Sequence, residues 1–592
     1  MTMEKSRLYS AGSANATFRG GLAPALVLLA PLVLLVPGLA NTPGADILAG
    51  AALALLGIVQ TAVARTLRAG RLETAALVAF CLALCLILYS GWLDAKWSII
   101  DDHELFFYLN GRSRLSFLDA LRTFAGHYEV GGILGNGLGR FRPGYYLVRF
   151  ANLWLFAGDV TWWNRFDFAL LAASLCLAAL TLRRFLGLAA AALAVVGALS
   201  LPFWPGVLFS NLQQESVALL GLCLCAHGLA RATSRAGLSA WPGAWIEACV
   251  GAVLAMSLKE NFLFLAPILL VAAGFAKRRD GLPAKSVLCV AVALAYAVLA
   301  CVVLIVLLAR QGADMYANPV SAGARLPLLL PGLARFAGLA ELKWSLPALA
   351  PFLMLGLAAA RRGRYPSFRR DAVRAALALA SCAFVFVSQY VFYNGQILLS
   401  AQRYDFPALL TPPGAWLAMA WLASECLRHA GGRTARRSAP VLLCAALAAF
   451  AAANGFDLWR TELRLALDKT QVFEARLGAV ALLAKAEPQR PVVLYARDPD
   501  SSEAVDSVLV YLRKRFGVAN RIFLDYQGPP GFAPNQIYLR NLDAGLARLS
   551  KQGSADLTPL DQLPPDSGPL GLGFDGPPGQ GSRNLGRIWP LP

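Results

Sequence analysis

The feature that most limits what this chain can fold into is a succession of apolar stretches, separated by short segments in which clusters of Arg and Lys lie. A helix needs roughly 20 apolar residues to cross a hydrocarbon core. On that scale the sequence reads as about thirteen spans. They lie near 23–40, 46–64, 72–93, 166–182, 185–207, 215–230, 243–258, 261–276, 286–308, 344–360, 374–393, 405–424 and 438–454. A hydrophobic share of 57%, a charged share of 15% and a mean hydropathy of +0.55 exclude an ordinary soluble protein. The net charge of +19 would suggest nucleic acid in a soluble chain. Here many of the Arg residues sit in short loops, where they set orientation, and no nucleic-acid partner is expected.

The basic clusters test the count, because alternate loops should carry them. Lys5, Arg7 and Arg19, then Arg65, Arg68 and Arg71, then Arg183 with Arg184, Arg231 with Arg235, Lys277 to Arg279, Arg361 to Arg374, and Arg428 to Arg437 all fall on one face. That face is expected to be cytoplasmic, with residues 1–22 on it, and the membrane to be a bacterial inner membrane. The first span resembles a signal peptide in having Arg19 before it and Pro37-Gly38-Leu39-Ala40 at its end, but a second span follows at once, and it is kept as a helix.

Residues 94–165, 309–343 and everything after 455 then face the periplasm. The first of these mixes aromatic and apolar residues with charges, and 116–125 and 145–156 read as interfacial helices. Residues 455–552 read as a small α/β domain, with strands at Pro491–Ala496 and Arg521–Asp525 around an amphipathic helix from Ser502 to Phe516. From 553 to 592 the density of Pro and Gly makes a packed fold unexpected. The expected fold class is thus a polytopic α-helical membrane protein with a small extracytoplasmic α/β domain at its C-terminus. All eleven Cys fall in or beside apolar spans, so packing explains them better than a disulfide framework or a zinc motif.

Chemistry is expected where polar groups interrupt this pattern. Asp101-Asp102-His103-Glu104 crowds carboxylates around a His at the membrane surface, which suits a general base with a raised pKa or a divalent metal, and equally a solvated acidic turn. Arg140 and Arg142 sit in a Gly-rich segment suited to phosphate oxygens, although no strand precedes it and the dinucleotide-binding pattern fails. Lys259-Glu260-Asn261 breaks an apolar run, and charges there point to a polar cavity or to a tight turn between short helices. Glu215, with Asn211, Gln213 and Gln214, lies at a span end on the same side, where it can serve as a helix N-terminal carboxylate. Arg403 and Tyr404 open the connection to a late span, as a phosphate partner or an interfacial anchor. Asp498-Pro499-Asp500 has the form of a DxD metal motif but reads as a loop, and His127, His227 and His429 stand isolated.

Together these features resemble the GT-C superfamily of membrane glycosyltransferases, the group that includes protein O-mannosyltransferases and the aminoarabinose transferases of lipid A. The resemblance covers roughly residues 72–455. It is carried by the acidic pair Asp101 and Asp102 after an apolar span, Arg140-Phe141-Arg142-Pro143-Gly144-Tyr145-Tyr146 leading to Trp162-Trp163-Asn164-Arg165-Phe166, Ser257-Leu258-Lys259-Glu260 between two helices, and Arg403-Tyr404-Asp405-Phe406-Pro407 before a late span. It implies a GT-C-like fold and an inverting transfer of sugar from a polyprenyl-phosphate donor to a lipid, glycan or protein acceptor. In that scheme Asp101 or Asp102 is the base, Lys259, Arg403, Arg140 and Arg142 hold the lipid phosphate, and His103, Glu104, Glu215, Glu260 and Tyr404 support them. An O-antigen polymerase or ligase, a transporter and a non-catalytic assembly protein are the competing readings. A transporter should show paired broken helices in two related halves, and only one break is evident.

Overall fold

The computed structural model describes residues 69–592 except 100, 101, 128, 132–139, 200, 202, 209–213, 233–241, 312–324, 394, 396–404, 431–432, 497–501, 527–556, 559–569, 574–588 and 591–592. The expected spans at 23–40 and 46–64, Asp101, Arg403, Tyr404 and the Asp498–Asp500 motif lie outside these residues.

Most of the described chain is helical. The first helix, α1 (Ala69–Tyr89), ends in a 3-10 turn over Ser90–Asp94. Three short helices follow, α2 (His103–Leu109), α3 (Phe117–Gly126) and α4 (Pro143–Phe156), and then the long α5 (Val160–Leu186). Their starts follow local chemistry. Ser116 caps α3 by accepting from the Asp119 N–H at 3.1 Å, Pro143 opens α4 where its missing N–H is harmless, and Asp159 caps α5 through the Thr161 N–H at 3.0 Å.

After α5 come α6 (Leu188–Leu199), α7 (Trp204–Leu208), α8 (Glu215–Ala232), α9 (Pro242–Leu258), a 3-10 turn at Glu260–Phe264, α10 (Leu265–Asp280) and α11 (Ala284–Gln311). The series continues with α12 (Leu329–Ala337), α13 (Ala340–Arg361), α14 (Phe368–Phe392), α15 (Thr411–Ala430) and α16 (Arg433–Ala486), a single helix of 54 residues.

Six helical segments among the described residues are long and apolar enough to cross a membrane: Leu72–Asp94, Val160–Leu186, Glu215–Ala232, Glu260–Arg278, Ala284–Leu307 and Phe368–Phe392. The other expected spans differ for visible reasons. The 185–207 stretch divides into the short helices α6 and α7, α9 has only 17 residues, and α13 carries Pro347 and Pro351 inside it. The 438–454 stretch is the first part of α16, which runs without a break past the expected boundary at 455.

Burial separates inner helices from outer ones. Most of the Val160–Leu186 and Glu215–Ala232 windows is buried within the protein, whereas Ala284–Leu307 exposes Leu288, Val292, Val298 and Ile305 by about 60% each. A run of exposed aliphatic side chains on one helix suits contact with lipid, as a helical membrane protein requires. At the centre α8 and α9 pack through glycines. A Cβ on Gly221 would meet the Gly251 carbonyl oxygen at 2.8 Å, and one on Gly228 would meet the Ala244 carbonyl oxygen at 2.7 Å, so only small residues allow this approach.

The C-terminal part forms a sheet in the order β3-β2-β1-β4-β5, with β1 (Val492–Ala496), β2 (Ile522–Tyr526), β3 (Leu557–Thr558), β4 (Leu570–Gly573) and β5 (Trp589–Pro590). All pairs are parallel except β4 with β5. The helix expected from Ser502 to Phe516 is α17 (Ser502–Val510) continued by a wider π turn over Tyr511–Arg515. The Pro/Gly-rich tail is not without structure: β4 pairs with β1 and buries Leu570 and Leu572, and Pro590, which has no N–H to give, stands on an edge strand.

Residues 94–165 and this sheet share one hydrophobic core. Trp97, Phe106, Phe150 and Trp163 pack together with Phe473, Leu494, Val508, Tyr511 and Ile522. A second, larger core fills the space among α1, α5, α8 and α9.

Candidate functional site

The interruption at 259–261 organises the site. Helix α9 stops because Lys259 is extended, with φ −156° and ψ 137°, and the chain then turns through Glu260–Phe264 into α10. Each of three successive side chains ties down a different part of the chain. Lys259 donates to Glu215 Oε1 at 2.8 Å, Glu260 accepts from Arg142, and Asn261 donates to the Phe406 carbonyl at 3.0 Å. The first turn of α4 reaches this place because Gly144 lies directly against Ser257, where any Cβ would collide.

Arg142 and Glu260 form a bidentate pair. Arg142 Nε lies 3.0 Å from Oε1 and Nη2 lies 2.8 Å from Oε2, and the Phe141 N–H adds a bond to Oε1 at 3.2 Å. Burial works against the Arg142 charge, but Glu260 and Glu129 more than offset it and hold the guanidinium firmly protonated. The Phe406 carbonyl also accepts from Gln389 Nε2 at 2.9 Å, and Gln389 Oε1 accepts from the Ala408 N–H at 2.9 Å, which fixes residues 405–408 beside the interruption.

Next to Arg142 stands Glu129, 1% exposed. Its Oε1 is 3.7 Å from Arg140 Nη1 and its Oε2 is 4.0 Å from Arg142 Nε, and Oε2 makes no hydrogen bond among the described residues. Burial pushes the Glu129 carboxyl up from its ordinary value against the opposing pull of Arg142 and Arg140. Two residues earlier, His127 Nδ1 accepts the Glu129 N–H at 3.2 Å, so the neutral ring carries its proton on Nε2, 2.8 Å from the Tyr108 hydroxyl. The ring stacks on Tyr146 at 3.6 Å, and burial, with the Arg149 charge nearby, lowers its pKa to about 2.

The acidic turn differs from the expectation of carboxylates at an open surface. Asp102 is 1% exposed and accepts the Ser98 N–H at 2.7 Å, and His103 is also buried. They are covered by α17 and the π turn. Ser507 donates to the Ile99 carbonyl, so its oxygen accepts from His103 Nδ1 at 2.6 Å, and the Tyr511 hydroxyl donates to the Ser98 carbonyl at 2.8 Å. Glu104 turns away to an ion pair with Arg149 at 2.7 Å. His103 and Glu104 therefore face different partners and do not form a ligand set, and among the described residues no group of three His, Cys, Asp or Glu side chains is arranged to hold a metal ion.

The buried Asp167 of α5 accepts from the Ser216 hydroxyl at 3.1 Å, and Ser216 follows Glu215, the partner of Lys259. Buried polar groups thus run from Asp167 and Ser216 through Glu215 to Lys259, and Glu260, next in the chain, leads on to Arg142, Glu129 and Arg140.

The structure brings Arg140, Arg142, Glu215, Lys259 and Glu260 together, and puts Phe406 of the late element beside Asn261; it does not bring in His103 or Glu104, which pair with Ser507 and Arg149. Glu129, Asp167, Gln389 and Ser507 escaped sequence reasoning. Glu129 carried one faint signal, an acid in the same loop as Arg140 and Arg142. His227 is not isolated either, since its Nδ1 meets Glu247 Oε1 at 2.6 Å. A cleft of about 700 Å³ lined by Ser113, Arg114, Asp159 and Trp162 contains none of the clustered residues. Its two charged groups serve the fold, Arg114 on the Leu155 carbonyl and Asp159 as the α5 cap.

No protein-family model matches this chain, and no curated protein matches it in sequence.

Proposed function

We propose that the chain transfers a sugar from a polyprenyl-phosphate donor to a lipid, glycan or protein acceptor, on the periplasmic side of a bacterial inner membrane. The observation that carries this reading is the convergence of charges from Glu215, Lys259–Glu260 and Arg140–Arg142 on one buried cluster at the ends of apolar helices. Buried ionisable groups in such a body are costly and mark function by default. A donor with its tail in lipid presents its phosphate at the level of helix ends, and guanidinium and ammonium groups held there in advance would stabilise the departing phosphate.

In this reading Arg140, Arg142 and Lys259 bind the phosphate, with Arg403 from the late element, and Glu215 and Glu260 keep the cations in position before the donor arrives. Asp101 or Asp102 takes the acceptor proton. Helix α17 and the π turn after it cover Asp102 and His103.

The test is release of polyprenyl phosphate from a polyprenyl-phosphate sugar by the purified protein in liposomes supplied with a lipid, glycan or protein fraction of the cell envelope as acceptor. Asp101→Asn, Asp102→Asn and the double variant should insert normally. Loss of the true base should cost on the order of 100-fold or more in rate. Undiminished activity in all three variants would show that the acidic turn is scaffold.

A further inference from the structure

Among the described residues of the charged cluster, Glu215 and Glu260 each accept at least one hydrogen bond, whereas the Glu129 carboxylate makes no side-chain hydrogen bond. Its backbone is fixed on both sides, by the N–H bond to His127 Nδ1 and by the carbonyl that accepts the Arg142 N–H at 3.1 Å. Its side chain is not. Both guanidinium contacts, at 3.7 and 4.0 Å, are too long for hydrogen bonds, and Oε2 is buried without a hydrogen bond among the described residues. Glu260, by contrast, accepts three contacts from the Arg142 side chain and one from the Phe141 N–H.

Charge balance gives this difference a consequence. Among the described residues, Arg140 and Arg142 supply two positive charges and Glu129 and Glu260 two negative ones, so these four side chains together carry no net charge. A phosphodiester docking on the arginines would leave one uncompensated negative charge in a buried place, which is expensive. Uptake of a proton removes it. Of the two carboxylates, Glu129 gives up the weaker contacts, and its neutral form can donate to a phosphate oxygen.

We propose that Arg140, Arg142 and Glu129 form a proton-linked phosphodiester site, in which the Glu129 carboxyl takes up one proton as the lipid phosphate docks. The proposal rests on the donor chemistry given above and adds the means by which the site accepts an anion. Among the described residues, the charged and titratable groups around Glu129 are Arg140, Arg142, Arg149, Glu260 and His127. The ring of His127 stays neutral down to about pH 2, so it does not compete for the proton near neutrality. The raised pKa of Glu129 agrees with the same direction.

The experiment measures binding, so that it stands apart from sugar transfer. The probe is a polyprenyl methyl phosphodiester in nanodiscs, which keeps one negative charge across the pH range used. Wild-type affinity should fall up to tenfold per pH unit wherever free Glu129 is ionised. Glu129→Gln imitates the protonated state, so its affinity should vary far less with pH and should exceed that of the wild type at pH 8. Titration of the wild type in two buffers of different ionisation enthalpy should show uptake of close to one proton, and this holds even if the variant does not fold. Zero proton uptake, the same pH slope in Glu129→Gln, or no binding to the wild type would each overturn the proposal. If one proton is taken up but no sugar is transferred, the site stands and the transferase reading falls.

Discussion

Replacing Glu260 by Gln should destabilise the protein by breaking a bidentate buried ion pair. Arg142 and Glu260 are 8% and 7% exposed, and the guanidinium makes contacts of 3.0, 3.1 and 2.8 Å with the two carboxylate oxygens. Removing one partner of such a pair costs about 3–5 kcal/mol, because the other is left charged and buried. Here Glu129 remains 4.0 Å from Arg142 Nε and can close in, so the lower end, about 3 kcal/mol, is expected. The eleven cysteines are free and most of them are buried, so uptake of a thiol-reactive dye on heating reports unfolding directly. Midpoints should be compared at one scan rate, since unfolding of such a protein need not be reversible. The double variant Arg142→Met/Glu260→Leu removes both charges and should unfold at a higher temperature than Glu260→Gln alone. A wild-type midpoint for Glu260→Gln, or a double variant no better than the single one, would show that the pair does not bear on stability as argued.

Two further outcomes follow from the packing and the titration of the same region. His127 is held neutral in the folded protein to about pH 2, while the unfolded chain takes a proton near pH 6.5, so its contribution is present above 6.5 and is lost as pH falls. Each pH unit below that point costs about 1.4 kcal/mol. Tryptophan fluorescence during heating should show a smaller loss between pH 7 and pH 5 for His127→Gln than for the wild type, and equal losses would remove His127 from the account. At the centre of the helical body, Gly228→Val should force α8 and α9 apart, since a Cβ there meets Ala244 and Ala248 backbone atoms. A cost of about 1–3 kcal/mol or more is expected, and an unchanged unfolding midpoint would contradict the close approach.

Much of the architecture was legible in the residues taken alone. The long apolar runs became helices within a few residues of their expected limits, as at 72–93, 215–230 and 286–308, because hydropathy and helix length are local properties. The strands around 491–496 and 521–525 were equally readable from their β-branched and aromatic content. Other features depended on distant partners. His103 and Glu104 looked like part of one acidic cluster until Ser507 and Arg149, 404 and 45 residues away, drew them apart. The tail after 553 looked unstructured because Gly571 and Gly573 carry no packing signal of their own, and β4 exists through its pairing with β1.

From its sequence alone this protein is a helical membrane protein, with charge concentrated at a few interruptions, of which 259–261 is the clearest. Those facts follow from the free energy of placing each residue in lipid or water, which needs no knowledge of its neighbours. The tertiary structure decided which charge meets which: Lys259 with Glu215, Glu260 with Arg142, and Glu129 beside two guanidiniums without a hydrogen bond to either. It also decided that the acidic turn lies beneath α17. A buried charge is stable only with a partner at contact distance, and that partner is chosen by how helices and loops far apart in the chain pack together.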